Sequence, residues 1–262
     1  MSAGTASRPS RRRWGWIALA VLVGLVVVAF AAGEAIARAV IRDRVDEAVR
    51  GAGIEASGPI AIDIPGLVLP QLIGGTIGEA TVSATNVRVE GVTADVTIAV
   101  RDLDVRRATA DGATAQARLD AAAVEALLDR ASAGSVWQEL GEAARVAIAE
   151  PHVEVSGELS VLGQGLPLAM SLTPSAADGS LLLAPESVTI GDWTLTRDQL
   201  DALPSGTPQA VARPIPVCLA EAMPRGVALE AVRVDGDRLL AGFRIDGAIL
   251  NDPALRRPGD CA

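Results

Sequence analysis

Over Ile60–Ile64 and again from Val82 to Val105, apolar side chains recur with a period of two. Ile60, Ile62 and Ile64 alternate with Ala61 and Asp63. Val82 and Ala84 follow, then Val87 and Val89. After a turn at Gly91 come Val92, Ala94, Val96, Ile98 and Val100, and then Leu103 and Val105. A period of two puts alternate side chains on one face, as in half-buried strands of an antiparallel meander. The pattern returns over residues 144–149, 153–161, 166–172, 181–184, 188–195, 227–234 and 239–250. The last two runs bracket VDGDR, a hairpin signal with Asp-Gly at its turn.

Helical spacing is confined to three places. In residues 33–50, Ile36, Val40 and Ala37, Ile41, Val45, Ala48 form one apolar stripe that Gly51 and Gly53 terminate. Residues 118–131 place Leu119, Val124, Leu127 and Leu128 at the same spacing. RDQLDAL follows Thr196, a good N-cap, and is stopped by Pro204. The pattern predicts an α+β fold with one large, curled antiparallel sheet and few helices.

One stretch obeys neither period. IDIPGLVLPQLIGG, residues 62–75, is apolar but holds Pro65, Pro70, Gly66, Gly74 and Gly75. It reads as a rigid apolar loop between two strands. Two alternatives stay open: Leu67, Val68 and Leu69 plug the end of the sheet, or they form a lip that faces a ligand.

The N-terminus adds a different signal. Trp14–Ala32 is a run of 19 residues without a charge, close to the roughly 20 that a membrane helix needs. Arg8, Arg11, Arg12 and Arg13 precede it, and Trp14 and Trp16 stand at its edge, as in a cytoplasmic flank and an interfacial aromatic belt. The chain therefore divides into a basic cytoplasmic tail (1–13), a single-pass anchor in the cytoplasmic membrane (14–32) and an extracytoplasmic domain (33–262). Ala29-Phe30-Ala31 also resembles a signal-peptide cleavage site, which leads to the same compartment. The net charge of −9 includes +4 in the first 13 residues, leaving −13 on the remainder. That balance argues against a nucleic-acid partner, which needs a basic face. All 23 basic residues are Arg, which reads as composition bias. Cys218 and Cys261, an even count in an exported domain, suggest a disulfide that ties the C-terminal tail to the body; a redox pair or metal site is the alternative.

Catalytic signatures are missing. G-x-S-x-G, G-x-x-x-x-G-K-[ST], H-E-x-x-H and G-x-G-x-x-G do not occur. GQG at 163–165 reads as a turn. His152 is the single histidine, and Asp102/Asp104 and Asp235/Asp237 fit a solvated strand face or turn. No enzyme, cofactor or metal is expected. With four Trp, two Phe and no Tyr, the interior must be aliphatic. It is then either a filled core or a groove suited to acyl chains, which gain about 0.8 kcal/mol per buried methylene.

The order of features resembles a known family. AIARAVIRDRVDEAV, IDIPGLVLPQLIGGTIGEATVSATNVRVEG, VRDLDVRR and LDAAAVEALL follow one another as in the LmeA-like actinobacterial envelope proteins, long described as a domain of unknown function. Gly66, Leu67, Leu69, Gln71, Leu72, Gly75, Ala84 and Asn86 match the family's layout. The segment Leu67–Pro70 departs from it, lacking the aromatics usual beside the glycine. The resemblance implies phospholipid binding outside the cytoplasmic membrane, in envelope lipid or glycolipid handling. It also implies a fold similar to the tubular lipid-binding (TULIP-like) domains, a long helix wrapped by a curled sheet. It supplies no catalytic residues. On this basis Leu67, Val68, Leu69, Leu72 and Ile73 are expected at a groove mouth. Val82, Ala84, Val87, Val89, Val96, Ile98 and Val100 would belong to its walls or to the core, and Ile36, Val40, Ile41 and Val45 to its other side. The alternatives are a scaffold for an envelope enzyme complex, with a filled interior and a protein partner, and a hydrolase with converging acids.

Overall fold

The computed structural model describes residues 33–41, 43, 55–89, 91–131, 144–161, 164–177, 179–202 and 213–261. Helix α1 covers residues 33–41. It is followed by β1 (Glu55–Ala56), β2 (Ile60–Asp63), α2 (Val68–Gly74), β3 (Thr76–Val89), β4 (Val92–Asp104), β5 (Gly112–Leu119) and α3 (Ala121–Ala131). Then come β6 (Arg145–Ala149), β7 (His152–Val161), β8 (Gln164–Ala177), β9 (Ser180–Ile190), β10 (Trp193–Thr196) and α4 (Arg197–Asp201). Strands β11 (Ile215–Cys218), β12 (Val227–Asp235) and β13 (Arg238–Ile245) complete the order. The α+β class and the antiparallel character agree with the periodicity.

The single sheet expected from the sequence is two. Among the described residues, one sheet has seven strands, in the order β1-β3-β4-β5-β13-β12 with β2 also on β3. The other has six, in the order β10-β9-β8-β7-β6 with β11 also on β9. Alternation marks strands but not their partners. The decisive pairing joins β5 to β13, with Ala115 opposite Phe243, Ala117 opposite Ala241 and Leu119 opposite Leu239. It brings the C-terminal hairpin back to the first half of the chain.

The main core lies between the sheets. Val153, Val155, Leu168, Met170, Leu172, Leu181, Leu183 and Val188 from the six-stranded sheet pack with Leu119, Leu229, Val234 and Leu239 from the other. Helix α3 closes the layer through Ala123, Val124 and Leu128. Its N-terminus is held by Asp120, whose carboxylate accepts the Ala123 N–H at 2.9 Å. The predicted helix over 118–131 therefore starts later than expected: strand β5 takes residues through Leu119, and the Asp120 cap marks the change. A second, smaller core joins Ile64, Val68 and Ile77 to Ala37 and Ile41 of α1.

Two further corrections are local. Strand β13 ends at Ile245 rather than at 250. The Asp246-Gly247 turn follows, where Ala110 N–H donates to the Gly247 carbonyl at 2.9 Å and an added Cβ would collide with Ala110. The apolar stretch 65–75 is not a loop but contains α2. Pro70 sits in the first turn, where no backbone N–H needs an intrahelical acceptor. Gly75, at φ 84°, caps the end by donating to the carbonyls of Gln71 and Leu72. In α4 the Thr196 cap appears as expected, with Gln199 reaching back to the Thr196 N–H at 3.0 Å. Among the described residues, no helix is long and apolar enough to cross a membrane. The run 14–32 and its basic flank lie outside the described residues.

Cys218 and Cys261 form the expected disulfide. The tail it ties down also donates from Gly259 N–H to the carbonyls of Ala220 and Met223 at 3.1 and 2.9 Å. Its Leu255 and Arg257 carbonyls accept from Gly226 and Arg225 at 2.9 and 2.8 Å. A sequence separation of 43 residues corresponds to about 4 kcal/mol in the chain-entropy model. The double variant Cys218→Ser/Cys261→Ser should lose stability of that order in denaturant titrations. An unchanged midpoint would show that tail packing alone holds this end.

Candidate functional site

The inner face of the seven-stranded sheet is almost wholly aliphatic, and its central positions are small. Val96 of β4, Ala117 of β5 and Ala241 of β13 lie side by side in register, with Ala94 and Ala115 two residues away along β4 and β5. Larger residues surround them: Val87, Val92, Leu119, Leu239, Val232 and Phe243. Small side chains on a sheet flanked by large ones leave space that the core cannot fill. The result is a cavity of 310 Å³. Leu127 of α3 and Leu181 of β9 border it from the other layer, and Leu219, Met223 and Val227 close the remaining side. Apart from Gln116, every lining residue is apolar. That size and lining lie at the lower end of small-molecule sites, about 300–1,000 Å³.

The wall at Leu219 and Met223 is not part of a regular sheet. It hangs between β11 and β12 and is held by backbone bonds: Leu219 and Ala220 N–H donate to the Gly179 carbonyl at 3.3 and 3.1 Å. The Cys218–Cys261 bridge sits directly beside it. The disulfide therefore stiffens one side of the cavity as well as the tail.

Among the residues expected from the sequence, Val87 and Val96 line the cavity. Val82, Ala84, Ile98 and Val100 belong to the same face and extend it toward α2, half-buried, with Val82 opposite Ile98 and Ala84 opposite Val96. Val89 pairs with Val92 at the strand end. The stretch 67–73 divides. Val68 is fully buried, Leu69 and Leu72 are half-buried, and Leu67 and Ile73 are 55% and 70% exposed. Val68 thus packs inward as a plug, and Leu67 and Ile73 stand at the surface. In α1, Ala37 and Ile41 pack on Ile62 and Ile64, while Ile36 and Val40 point outward at 64% and 52% exposure. Val45 lies outside the described residues.

Sequence reasoning missed the second half of the cavity wall. Leu127, Leu181, Leu219, Met223, Val227, Val232, Leu239, Ala241 and Phe243 come from distant segments. The one available signal was the run of alternating alanines at 113, 115 and 117, too small to fill a core.

Helix α2 is tied to α1 by a carboxylate. Glu34 accepts the N–H groups of Val68 and Leu69 at 2.9 and 2.8 Å. It also pairs with Arg38 at 2.9 Å, and Arg38 in turn donates to the Gly66 carbonyl at 2.9 Å. Bonds to the charged form, first from Leu69 and then from Val68, hold the Glu34 carboxyl below the ordinary carboxylate range. Asp104 is lowered likewise, mainly by the Arg107 N–H.

Polar chemistry is dispersed. His152 shares a hydrogen bond of 3.2 Å with Thr173 in the six-stranded sheet. Asp111 and Asp246 line a separate polar hollow with Arg225 and Arg244. There Arg225 is bonded to Pro258 and Asp260, and Arg244 to Glu230. Among the described residues, no cluster of three His, Cys, Asp or Glu could hold a metal.

The family model for LmeA-like phospholipid-binding proteins matches residues 32–243. No curated protein and no solved structure matches the chain.

Because the folded-state carboxyl of Glu34 titrates lower than in the unfolded chain, its contribution to stability is present above the unfolded value. It is lost as pH falls through the folded one. Glu34→Gln should therefore melt below the wild type at neutral pH, and the gap should close on acidification below the carboxylate range. A gap independent of pH would mean that the charge does not hold α2.

Proposed function

The chain belongs to the LmeA-like phospholipid-binding family, and on that premise we propose that it is a membrane-tethered, extracytoplasmic lipid carrier, not an enzyme. Its acyl-chain site is the cavity on the inner face of β4, β5 and β13. One observation carries this: the 310 Å³ space has apolar walls throughout except for Gln116. A scaffold protein would gain by filling such a space, since voids in a core lose contacts on every side. An acyl chain fills it instead. Roughly ten methylenes would contribute about 8 kcal/mol before the cost of immobilisation.

The half-buried strip Val82, Ile98 and Val100 continues the apolar floor toward α2, giving a chain longer than the cavity a surface to lie on. This is the arrangement that a tubular, TULIP-like lipid domain would use. The uncharged run Trp14–Ala32 and the arginines before it support a tether in the cytoplasmic membrane, with the rest of the chain outside. A tether keeps the carrier at high effective concentration beside its ligand. Glycolipids present similar acyl chains and fall in the same ligand class. A protein partner in envelope lipid handling would receive or deliver the lipid.

Ala117→Phe tests the site. In a filled core it would cost 1–3 kcal/mol in strain; here it should enter the cavity with the fold intact. Displacing about three methylenes should weaken binding by about 2.4 kcal/mol, or roughly fifty-fold. Native mass spectrometry of the full chain released from mild detergent reads the retained phospholipid. Equal phospholipid on wild type and variant would place the ligand elsewhere.

A further inference from the structure

Helix α2 is apolar on every side, although it lies at the surface. Val68 and Leu72 face the small core. Leu67, Pro70 and Ile73, at intervals of three, are exposed. Its single polar side chain, Gln71, is engaged locally: its amide donates to the Pro65 and Leu67 carbonyls at 3.0 and 3.1 Å and accepts the Gly78 N–H at 3.1 Å. A helix that is apolar all round is stable in water only when something covers it. The neighbouring β4–β5 turn enlarges the patch. Val105, 44% exposed, donates its N–H to the Gly75 carbonyl at 3.0 Å. Arginines frame the patch. Arg106 donates to the Ile73 carbonyl at 3.2 Å, Arg107 is 81% exposed, and Arg38 bonds to Gly66. Two acids at the patch, Glu34 and Asp104, spend their oxygens on backbone N–H groups and on Arg38 and Arg107.

The position of α2 along the chain says what covers it. Gly33 directly follows the uncharged run Trp14–Ala32. A Cβ on Gly33 would stand 3.0 Å from Leu69 of α2, and Glu34 is bonded to the helix backbone. Where the apolar run ends, α2 begins. We infer that α2 and the 105–107 turn dock on the lipid leaflet from which the tether emerges. Leu67, Ile73 and Val105 enter the headgroup layer, and Arg106 and Arg107 meet lipid phosphates, the combination that holds amphipathic segments at anionic interfaces. This docking rests on the tether proposed above and not on the cavity. It sets the long axis of the sheet away from the membrane, with α2 at the near end.

The register supplies an internal control. Strand β4 runs from Leu103, beside α2, to Ala94 at the far end, about 30 Å at 3.3 Å per residue. The β12–β13 turn, with Asp237, lies at that far end, because Leu239 pairs with Leu119 and Leu119 with Ala94. Both native cysteines are in the disulfide, so single introduced cysteines can be labelled. Ile73→Cys and Asp237→Cys would be made in the full chain and labelled with an environment-sensitive dye. They would then be reconstituted in vesicles of phosphatidylcholine and phosphatidylglycerol. The label at 73 should be quenched by spin-labelled acyl chains at least several-fold more than the label at 237, and shielded from aqueous iodide. Arg106→Gln/Arg107→Gln should reduce that difference. Equal iodide access at both sites, with the chain retained after alkaline carbonate washing, overturns the docking and leaves the tether standing. Shielding from iodide without lipid quenching overturns it in favour of a protein cover or a second copy. Loss of the chain to the carbonate wash removes the tether and the docking together. None of these outcomes depends on whether lipid occupies the cavity.

Discussion

The pairing of β5 with β13 is the constraint on which the rest depends. It joins residues 113–119 to residues 239–245 in one antiparallel ladder, across a separation that encloses the whole six-stranded sheet. Without it, β3–β5 and the β12–β13 hairpin would be two separate sheets, each with an open edge. With it, they form one curled surface whose other face can be covered. Such distant pairing carries a large loop-closure cost. The alanines that make it close-fitting are also those that leave the cavity open, because Ala115, Ala117 and Ala241 sit at its centre.

Small residues in a sheet usually cost stability, since they bury little apolar area. Here the loss is localised. The main core between the sheets is dense with Leu and Val, including Leu172, Leu183, Val153 and Val188 at zero exposure. The open space is displaced to the region under β4, β5 and β13. The packed core and the proposed acyl-chain space thus divide one interior, and they meet at Leu119, Leu181 and Leu239, which belong to both. The same division holds at the other end, where Val68 serves the fold and Ile73, five residues on, serves the surface.

The alternation of Val and Ala made the strands and their inner face legible, Val87 and Val96 among them. Thr196 and the Asp-Gly turn were read correctly because capping and turn chemistry are local. What failed was non-local or depended on position within an element. Two sheets read as one, because a strand's periodicity is blind to its partner. Leu219 and Met223 went unnoticed because their role comes from Gly179 and the C-terminal tail, far away in sequence. The segment 65–75 read as a loop because its prolines count as helix breakers. Pro70 in a first turn, with a left-handed glycine at the end, is instead a good short helix, and Glu34 supplies acceptors that no local pattern announces.

The cavity wall at Leu219–Met223 is fastened by the last residues of the chain, through Gly259 and Cys261. A chain synthesised from its N-terminus presents its first-half strands before that wall exists. The apolar floor on β4 and β5 then stands uncovered until the C-terminus arrives and the thiols are oxidised. The pocket is accordingly completed only after residues 219–261 have been made, and closing the Cys218–Cys261 bond beside it requires an oxidant.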